Sequence, residues 1–136
     1  MGNRMSTAKF DTWKNTDGTE NYKCRAWVNF DGTGTPSIRA SGNVDSITDN
    51  GAGDYTVNFI TAMPDTNYAV TTTSIPIPGS NRAGFFIGPY QTQQSPAAPQ
   101  ASLTTASVRI ACMRGSSDTA PGVSIDSNGV YVAIFR

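Results

Sequence analysis

Acidic side chains are the residues of this chain with the most potential for chemistry. The 136 residues include ten Asp and Glu but no His, which removes the commonest general base and the usual metal ligand. The only glutamate is Glu20, so a catalytic pair of carboxylates, as in a glycosidase, would depend on aspartates. The aspartates with turn-like neighbours are Asp31, Asp49, Asp54, Asp65, Asp118 and Asp126.

These aspartates are better explained as turn residues than as catalysts. In Gly-, Asn- and Thr-rich sequences, Asp bonds to its own backbone and tolerates unusual dihedrals. Residues 49–54 (DNGAGD) lack the bidentate Glu and flanking helices of a calcium loop, and they predict a tight hairpin turn. We therefore predict no catalytic residue, no metal site and no cofactor. A hydrolase that uses aspartates alone remains the alternative.

Composition narrows the classes of partner. Ten basic and ten acidic residues cancel, so the chain lacks the positive charge that nucleic acids or anionic membranes attract. Its apolar runs, such as 130–135, are too short to cross a bilayer. We predict no nucleic-acid partner and no membrane insertion.

The two cysteines predict small core residues. Cys24 is in phase with Ala26 and Val28, and Cys112 is in phase with Ile110, so both are expected on inward strand faces. Two cysteines are too few for a disulfide framework. We expect buried free thiols, with a bridge between them as the alternative.

Strand periodicity predicts the fold. Alternation of apolar and polar residues is clear at 24–30 and again at 55–59, and turn sequences separate these and further short apolar segments. About eight short strands without a convincing helix indicate an all-β protein, an antiparallel β-sandwich of jelly-roll-like type. Residues 1–22 lack a clear period and predict an extended N-terminal arm. Residues 23–136 form the sandwich domain.

Aromatic side chains supply two sets of candidate contacts. Trp27 is predicted on the face opposite Cys24, where it either anchors a subunit interface or packs under the arm. Phe10 and Trp13 in the arm are candidates for the same interface. The Pro-rich segment 76–100 interrupts the strand rhythm and predicts a long loop. Its aromatic and polar groups could recognise a receptor or a glycan, or could pack the loop down: Arg82, Phe85, Phe86, Tyr90 and Gln91.

Several blocks of sequence resemble the C-terminal domain of tail-fibre and related structural proteins of tailed phages. Residues 24–35 (CRAWVNFDGTGT) are similar to the opening of that domain. Residues 46–59 (SITDNGAGDYTVNF) and 62–70 (AMPDTNYAV) are similar to its next blocks, and 124–136 (SIDSNGVYVAIFR) to its last strand. The resemblance covers most of residues 24–136. The similar residues are those of strands and turns, and the resemblance implies no catalytic motif.

The resemblance implies a homotrimeric β-sandwich located in the virion and assembled in the host cytoplasm. It implies a tail-fibre or receptor-binding tip that attaches to the host surface, with other virion proteins of the tail or capsid as partners and a host-surface glycan as a further candidate. A fibre requires an N-terminal shaft, whereas about twenty residues precede the domain here. A capsid decoration protein, which stabilises the phage head, is therefore one alternative, and a monomeric carbohydrate-binding module is another.

Overall fold

The described residues form nine antiparallel strands. The computed structural model describes residues 14, 16–18, 23–75, 85–89, 103–114 and 123–136, with the backbone alone at 85–89, 114 and 123. The strands are β1 Cys24–Asp31, β2 Ser37–Gly42, β3 Val44–Gly51, β4 Asp54–Phe59, β5 Ala69–Ile75, β6 Phe85–Pro89, β7 Ser107–Arg114, β8 Val123–Ser124 and β9 Gly129–Phe135.

These strands make two sheets, which confirms the predicted antiparallel β-sandwich. One sheet has the order β2-β1-β9-β5. The other has the order β3-β4-β7-β6, and the short β8 pairs with the end of β7. The predicted hairpin turn at 49–54 is also confirmed, since it joins β3 to β4.

The inward faces of both sheets supply a single apolar core. Alternation along β1 buries Ala26, Val28 and Phe30, as the sequence pattern predicts. Strand β9 adds buried side chains beside those of β1 on the same sheet, and β4 and β7 contribute the facing side chains across the sandwich. The buried apolar residues on β4, β7 and β9 are Tyr55, Val57, Phe59, Val108, Ile110, Ala111, Cys112, Val130, Val132 and Ile134.

The chain crosses between the sheets at Asn43, a corner that requires the left-handed backbone region. Asn43 has a φ of 56°, which Asn tolerates better than most residues. Its Nδ2 donates to the carbonyl oxygens of Arg25 and Thr61, both at 3.0 Å. Its Oδ1 accepts from the amide of Thr61 at 2.7 Å. One side chain therefore bonds the start of β1 to the exit from β4.

The hydroxyl of Tyr55 holds one end of the sandwich together. The ring is fully buried and meets Phe30 edge-on, with ring centroids 5.2 Å apart. The hydroxyl lies 2.6 Å from the carbonyl oxygen of Gly32 and 3.0 Å from a carboxylate oxygen of Asp126. Burial, together with the bond to Asp126, raises the pKa of Tyr55, so the hydroxyl stays a donor.

The contacts of the Tyr55 hydroxyl with Gly32 and Asp126 form what we call the Tyr55 junction. Asp126 connects this junction to the β3–β4 hairpin. The same carboxylate oxygen accepts from the amide of Gly53 at 2.8 Å. The carbonyl of Gly53 in turn accepts from the amide of Cys112 at 2.7 Å. Three turns from different parts of the sequence thus meet around one buried phenol.

The prediction that both thiols are buried is wrong for Cys24. Both cysteines are free, but only Cys112 is buried. The register of β1 against β9 shifts between Cys24 and Ala26, so Cys24 pairs with the outward-facing Phe135. The bulge breaks the two-residue period on which the prediction depended.

We expect the two thiols to differ sharply in reactivity. Burial raises the pKa of Cys112 to about 12, whereas Cys24 is exposed. Iodoacetamide should modify Cys24 alone in the native protein and both cysteines in urea, as counted by peptide mass spectrometry. Equal modification of both thiols under native conditions would contradict the described burial.

Two glycines with similar backbone angles provide a matched test of the junction. Gly53 and Gly34 have φ of 67° and 62°, so alanine costs about 1–2 kcal/mol of left-handed strain at either position. A Cβ on Gly53 would lie 2.5 Å from the amide nitrogen of Ile125 and 2.6 Å from the carbonyl oxygen of Cys112, whereas a Cβ on Gly34 meets nothing within 4 Å.

Gly53→Ala should therefore lower the free energy of unfolding by at least about 2 kcal/mol more than Gly34→Ala, because backbone atoms must move apart. Urea unfolding followed by circular dichroism measures both variants. Equal losses would mean that the junction around Gly53 is not tightly packed.

Candidate functional site

Three aspartates make the predicted local turn bonds. One oxygen of Asp31 accepts from the amide of Thr33 at 2.9 Å. Asp49 accepts from Gly51 at 2.9 Å, and Asp65 accepts from Asn67 at 2.8 Å. Each carboxylate caps its own turn two residues on, as expected for Asp in such sequences. Asp118 lies outside the described residues.

Asp54 and Asp126 differ from this prediction because they make long-range contacts. Asp54 opens β4 and receives two bonds from Arg109, at 2.8 and 2.6 Å. Asp126 belongs to the Tyr55 junction. Both carboxylates bind parts of the fold that are distant in sequence, so both have structural roles.

Arginine partners hold two of the three carboxylates that cap their own turns. Arg39 pairs with Asp31 at 2.9 Å, and Arg136 pairs with Asp65 at 2.6 Å. The hydroxyl and amide of Thr33 lower the pKa of Asp31, and Arg39 adds to the effect. Within the described ranges, no group of three or more His, Cys, Asp or Glu could hold a metal ion. These acids are arranged to stabilise turns and sheet edges.

The structure places few of the predicted contact residues. Arg82, Tyr90 and Gln91 lie outside the described residues, as do Phe10 and Trp13 of the arm. Phe85 and Phe86 belong to β6, where the backbone register sets them opposite Arg114 and Met113. Trp27 is thus the one candidate whose side chain is described.

Trp27 lies on the outer face of the four-stranded sheet, as the alternation predicts, and 44% of it is exposed. Its lateral partner on β2 is Gly42. A Cβ on Gly42 would collide with the indole Nε1 and would lie 2.9 Å from its Cδ1. The indole therefore rests against the backbone of β2, in space that any other residue at position 42 would occupy.

Tyr131 on β9 has a similar arrangement. A Cβ on Gly129 would lie 3.2 Å from both the Cε2 and the hydroxyl oxygen of Tyr131. The phenol ring thus lies along its own strand, over a glycine two residues earlier. The sequence analysis does not name Tyr131 as a candidate. The alternation of Tyr131 and Ala133 with the buried Val130 and Val132 is the signal that would identify it as outward-facing.

An open groove of about 470 Å³ runs across the sheet between β1, β9 and β5. Sheet register aligns Trp27 with Ala133 and Thr71 in one row, and Asn29 with Tyr131 and Thr73 in the next. Its lining residues are Trp27, Val28, Asn29, Thr71, Thr72, Thr73, Tyr131, Val132 and Ala133. None of these nine described residues is acidic or basic. The groove thus offers aromatic, hydroxyl and amide groups.

Comparisons with protein-family models, with curated proteins and with solved structures find no match to this chain. In the part of the chain that the structure describes, no helix is long and apolar enough to cross a membrane.

We expect acid to weaken the fold partly through Asp65. The bonds from Arg136 and then from the Asn67 amide hold the pKa of Asp65 below its ordinary value of 3.8. The folded state thus favours the charged form, so this contribution is present above pH 3.8 and is lost as the pH falls through the lower folded value.

Asp65→Asn should therefore flatten the acid limb of a plot of unfolding free energy against pH. The change should be small because both partners are more than a third exposed. Arg136→Gln, which removes the other partner, should flatten the limb similarly. If both variants keep the wild-type acid limb, the pair does not contribute to it. Urea unfolding at several pH values supplies the plot.

Proposed function

We propose that this protein is a non-enzymatic structural protein of a tailed phage, a trimeric tail-fibre or receptor-binding tip that attaches the virion to its host. The observation that carries the attachment role is the open aromatic groove on the outer face of the four-stranded sheet. Rigid strands position its side chains, and convergent aromatic and polar groups in a concave surface are typical of a binding site.

The distribution of charge favours binding over catalysis. Asp31, Asp54 and Asp65 are each paired with an arginine, and Asp126 is used by the Tyr55 junction. A hydrolytic pair would need one carboxyl group as an acid and another as a base or nucleophile on either side of a substrate. The groove contributes no carboxyl group to such a pair.

The assignment to phages rests on the sequence resemblance. Residues 24–35 correspond to β1 and its following turn, and 46–59 to the β3–β4 hairpin. Residues 124–136 begin at the end of β8 and include β9. The similar blocks are therefore strands and turns of a sandwich framework, and the trimer is inferred from the same resemblance.

A monomeric carbohydrate-binding module is the second candidate, and the uncharged lining of the groove favours it. The two candidates differ in oligomeric state and in location. A capsid decoration protein would share the virion location of a tip but would lie on the head.

Two measurements test the proposal. Size-exclusion chromatography with light scattering should give three times the 14.4 kDa chain mass, and antibody labelling of intact particles should mark the distal tail. A stable monomer at micromolar concentration would contradict the trimer. Label on the head would assign the protein to capsid decoration and reject the role of a tail tip. Absence of the protein from purified particles would reject the virion role.

A further inference from the structure

We propose that the groove between β1, β9 and β5 binds an uncharged saccharide, with sugar rings stacked on Trp27 and Tyr131. The polar contacts would come from Asn29, Thr71 and Thr73. This inference rests on the attachment role for its biological source, the host surface. Its chemistry comes from the groove itself.

The first argument is the way the two rings are held. Gly42 leaves room for the indole of Trp27, and Gly129 leaves room for the phenol of Tyr131. An aromatic ring that covers a strand glycine is known as a stabilising arrangement in sheets. Here two such rings line one groove, where Trp27 is exposed and Tyr131 is partly exposed. The electron-rich face of an aromatic ring attracts the polarised C–H groups of a sugar ring.

The second argument is spacing. Trp27 pairs with Ala133, two residues from Tyr131, so the two aromatic residues are diagonal neighbours about 7–8 Å apart in their backbones. From β1 across β9 to β5, two strand spacings give a width of about 10 Å. The volume of about 470 Å³ is within the range of small-ligand sites. The groove thus has room for a short stretch of a saccharide chain.

The third argument is the pattern of hydrogen-bonding groups. The hydroxyl of Thr71 donates to the carbonyl of Ala133 at 3.2 Å, which leaves its oxygen as an acceptor for a sugar hydroxyl. The amide of Asn29 can both donate and accept. Groups of this kind match the hydroxyls of a saccharide, which act as donors and acceptors in turn.

The absence of charge in the lining selects among ligands. An anionic ligand would find no cation among the nine described lining residues, and a cationic ligand would find no carboxylate. The guanidinium of Arg39 reaches the edge of the groove, where it donates to Oδ1 of Asn29 at 3.5 Å, but its shorter bonds, of 2.6 to 3.0 Å, are to Asp31 and Asn128. An uncharged sugar therefore fits better than a phosphorylated or uronic one.

A second copy of this chain is the competing occupant. Ile75 and Phe135, which are 51% and 40% exposed, lie on the same outer face and would favour it. The groove itself, however, is lined by the polar side chains of Thr71, Thr73 and Asn29 beside its two aromatic rings, whereas the cores of subunit interfaces are more apolar. These polar lining groups therefore favour the saccharide.

Intrinsic fluorescence can report on the groove directly. Trp13 and Trp27 are the only tryptophans of the chain, so Trp13→Phe leaves Trp27 as the sole reporter. The full chain with this substitution is titrated with a panel of neutral hexose and N-acetylhexosamine oligosaccharides, and with sialylated and uronic oligosaccharides. We expect saturable changes in Trp27 emission with neutral members of the panel and weaker binding of the acidic ones.

Variants locate the binding site. Trp27→Ala and Tyr131→Ala, measured by calorimetry in the native background, should each weaken binding at least about tenfold, because each removes a stacking surface. Gly42→Ala retains Trp27 but displaces its indole, so it should also weaken binding. Ile60→Ala is the control, since Ile60 is 68% exposed and does not line the groove. Near-ultraviolet circular dichroism verifies that each variant is folded.

The outcomes separate this inference from the proposed function. Failure of every neutral oligosaccharide to bind, or unchanged binding by folded Trp27→Ala, overturns the saccharide site. A Trp27 emission change on dissociation of an oligomer, without binding to the panel, assigns the face to a second copy. Binding lost in Trp27→Ala by a protein that is absent from virions supports the saccharide site and rejects the phage role.

Discussion

The fold depends on the burial of one phenol hydroxyl with its partners in place. Tyr55 is an apolar core residue along most of its length, but its hydroxyl would be costly to bury without a hydrogen bond. The carbonyl of Gly32 and the carboxylate of Asp126 supply the acceptors. Gly32 lies in the turn after β1 and Asp126 in the segment before β9, so the buried hydroxyl has its acceptors only when both segments are in their native positions.

The constraint extends to β5, the edge strand of the four-stranded sheet. Ser127, next to Asp126, is completely buried, and its hydroxyl donates to the carbonyl of Ile75 at the end of β5. The carbonyl of Ser127 accepts from the amide of Gly32 at 2.9 Å. The strands that border the groove, β1, β9 and β5, are therefore fixed at one end by the same group of bonds. A surface on these strands is held rigidly without a ligand, which reduces the entropic cost of binding.

The sequence was sufficient for the sandwich because apolar alternation and turn chemistry are local signals. The alternation at 24–30 and 55–59 correctly predicted β1 and β4. Cys24 was misassigned because a bulge depends on the register of the neighbouring strand, which a single strand pattern does not contain. The groove could not be predicted either, because Thr71 and Tyr131 become neighbours of Trp27 only through the order β1-β9-β5.

The two outer faces of the sandwich differ in a way that favours the groove as the place of function. On the other sheet, Asn58 donates to the side chains of Ser46 and Thr48, at 3.2 and 3.0 Å. Asn50 donates to the hydroxyl of Thr56 at 2.9 Å, and Arg109 is paired with Asp54.

The polar groups of that second face are therefore hydrogen-bonded to their own cross-strand neighbours, which stabilises the sheet. A partner that bonded to these groups would gain little free energy, because it would have to replace bonds that already exist. On the face with the groove, the aromatic rings of Trp27 and Tyr131 cover glycines and retain exposed surface. The polar network of this face joins Arg39 to Asn29, Asp31 and Asn128 and does not include the two rings, so a ligand that displaces water from the rings gains apolar contact. This difference between the faces, rather than exposure alone, makes the four-stranded sheet the better candidate for recognition.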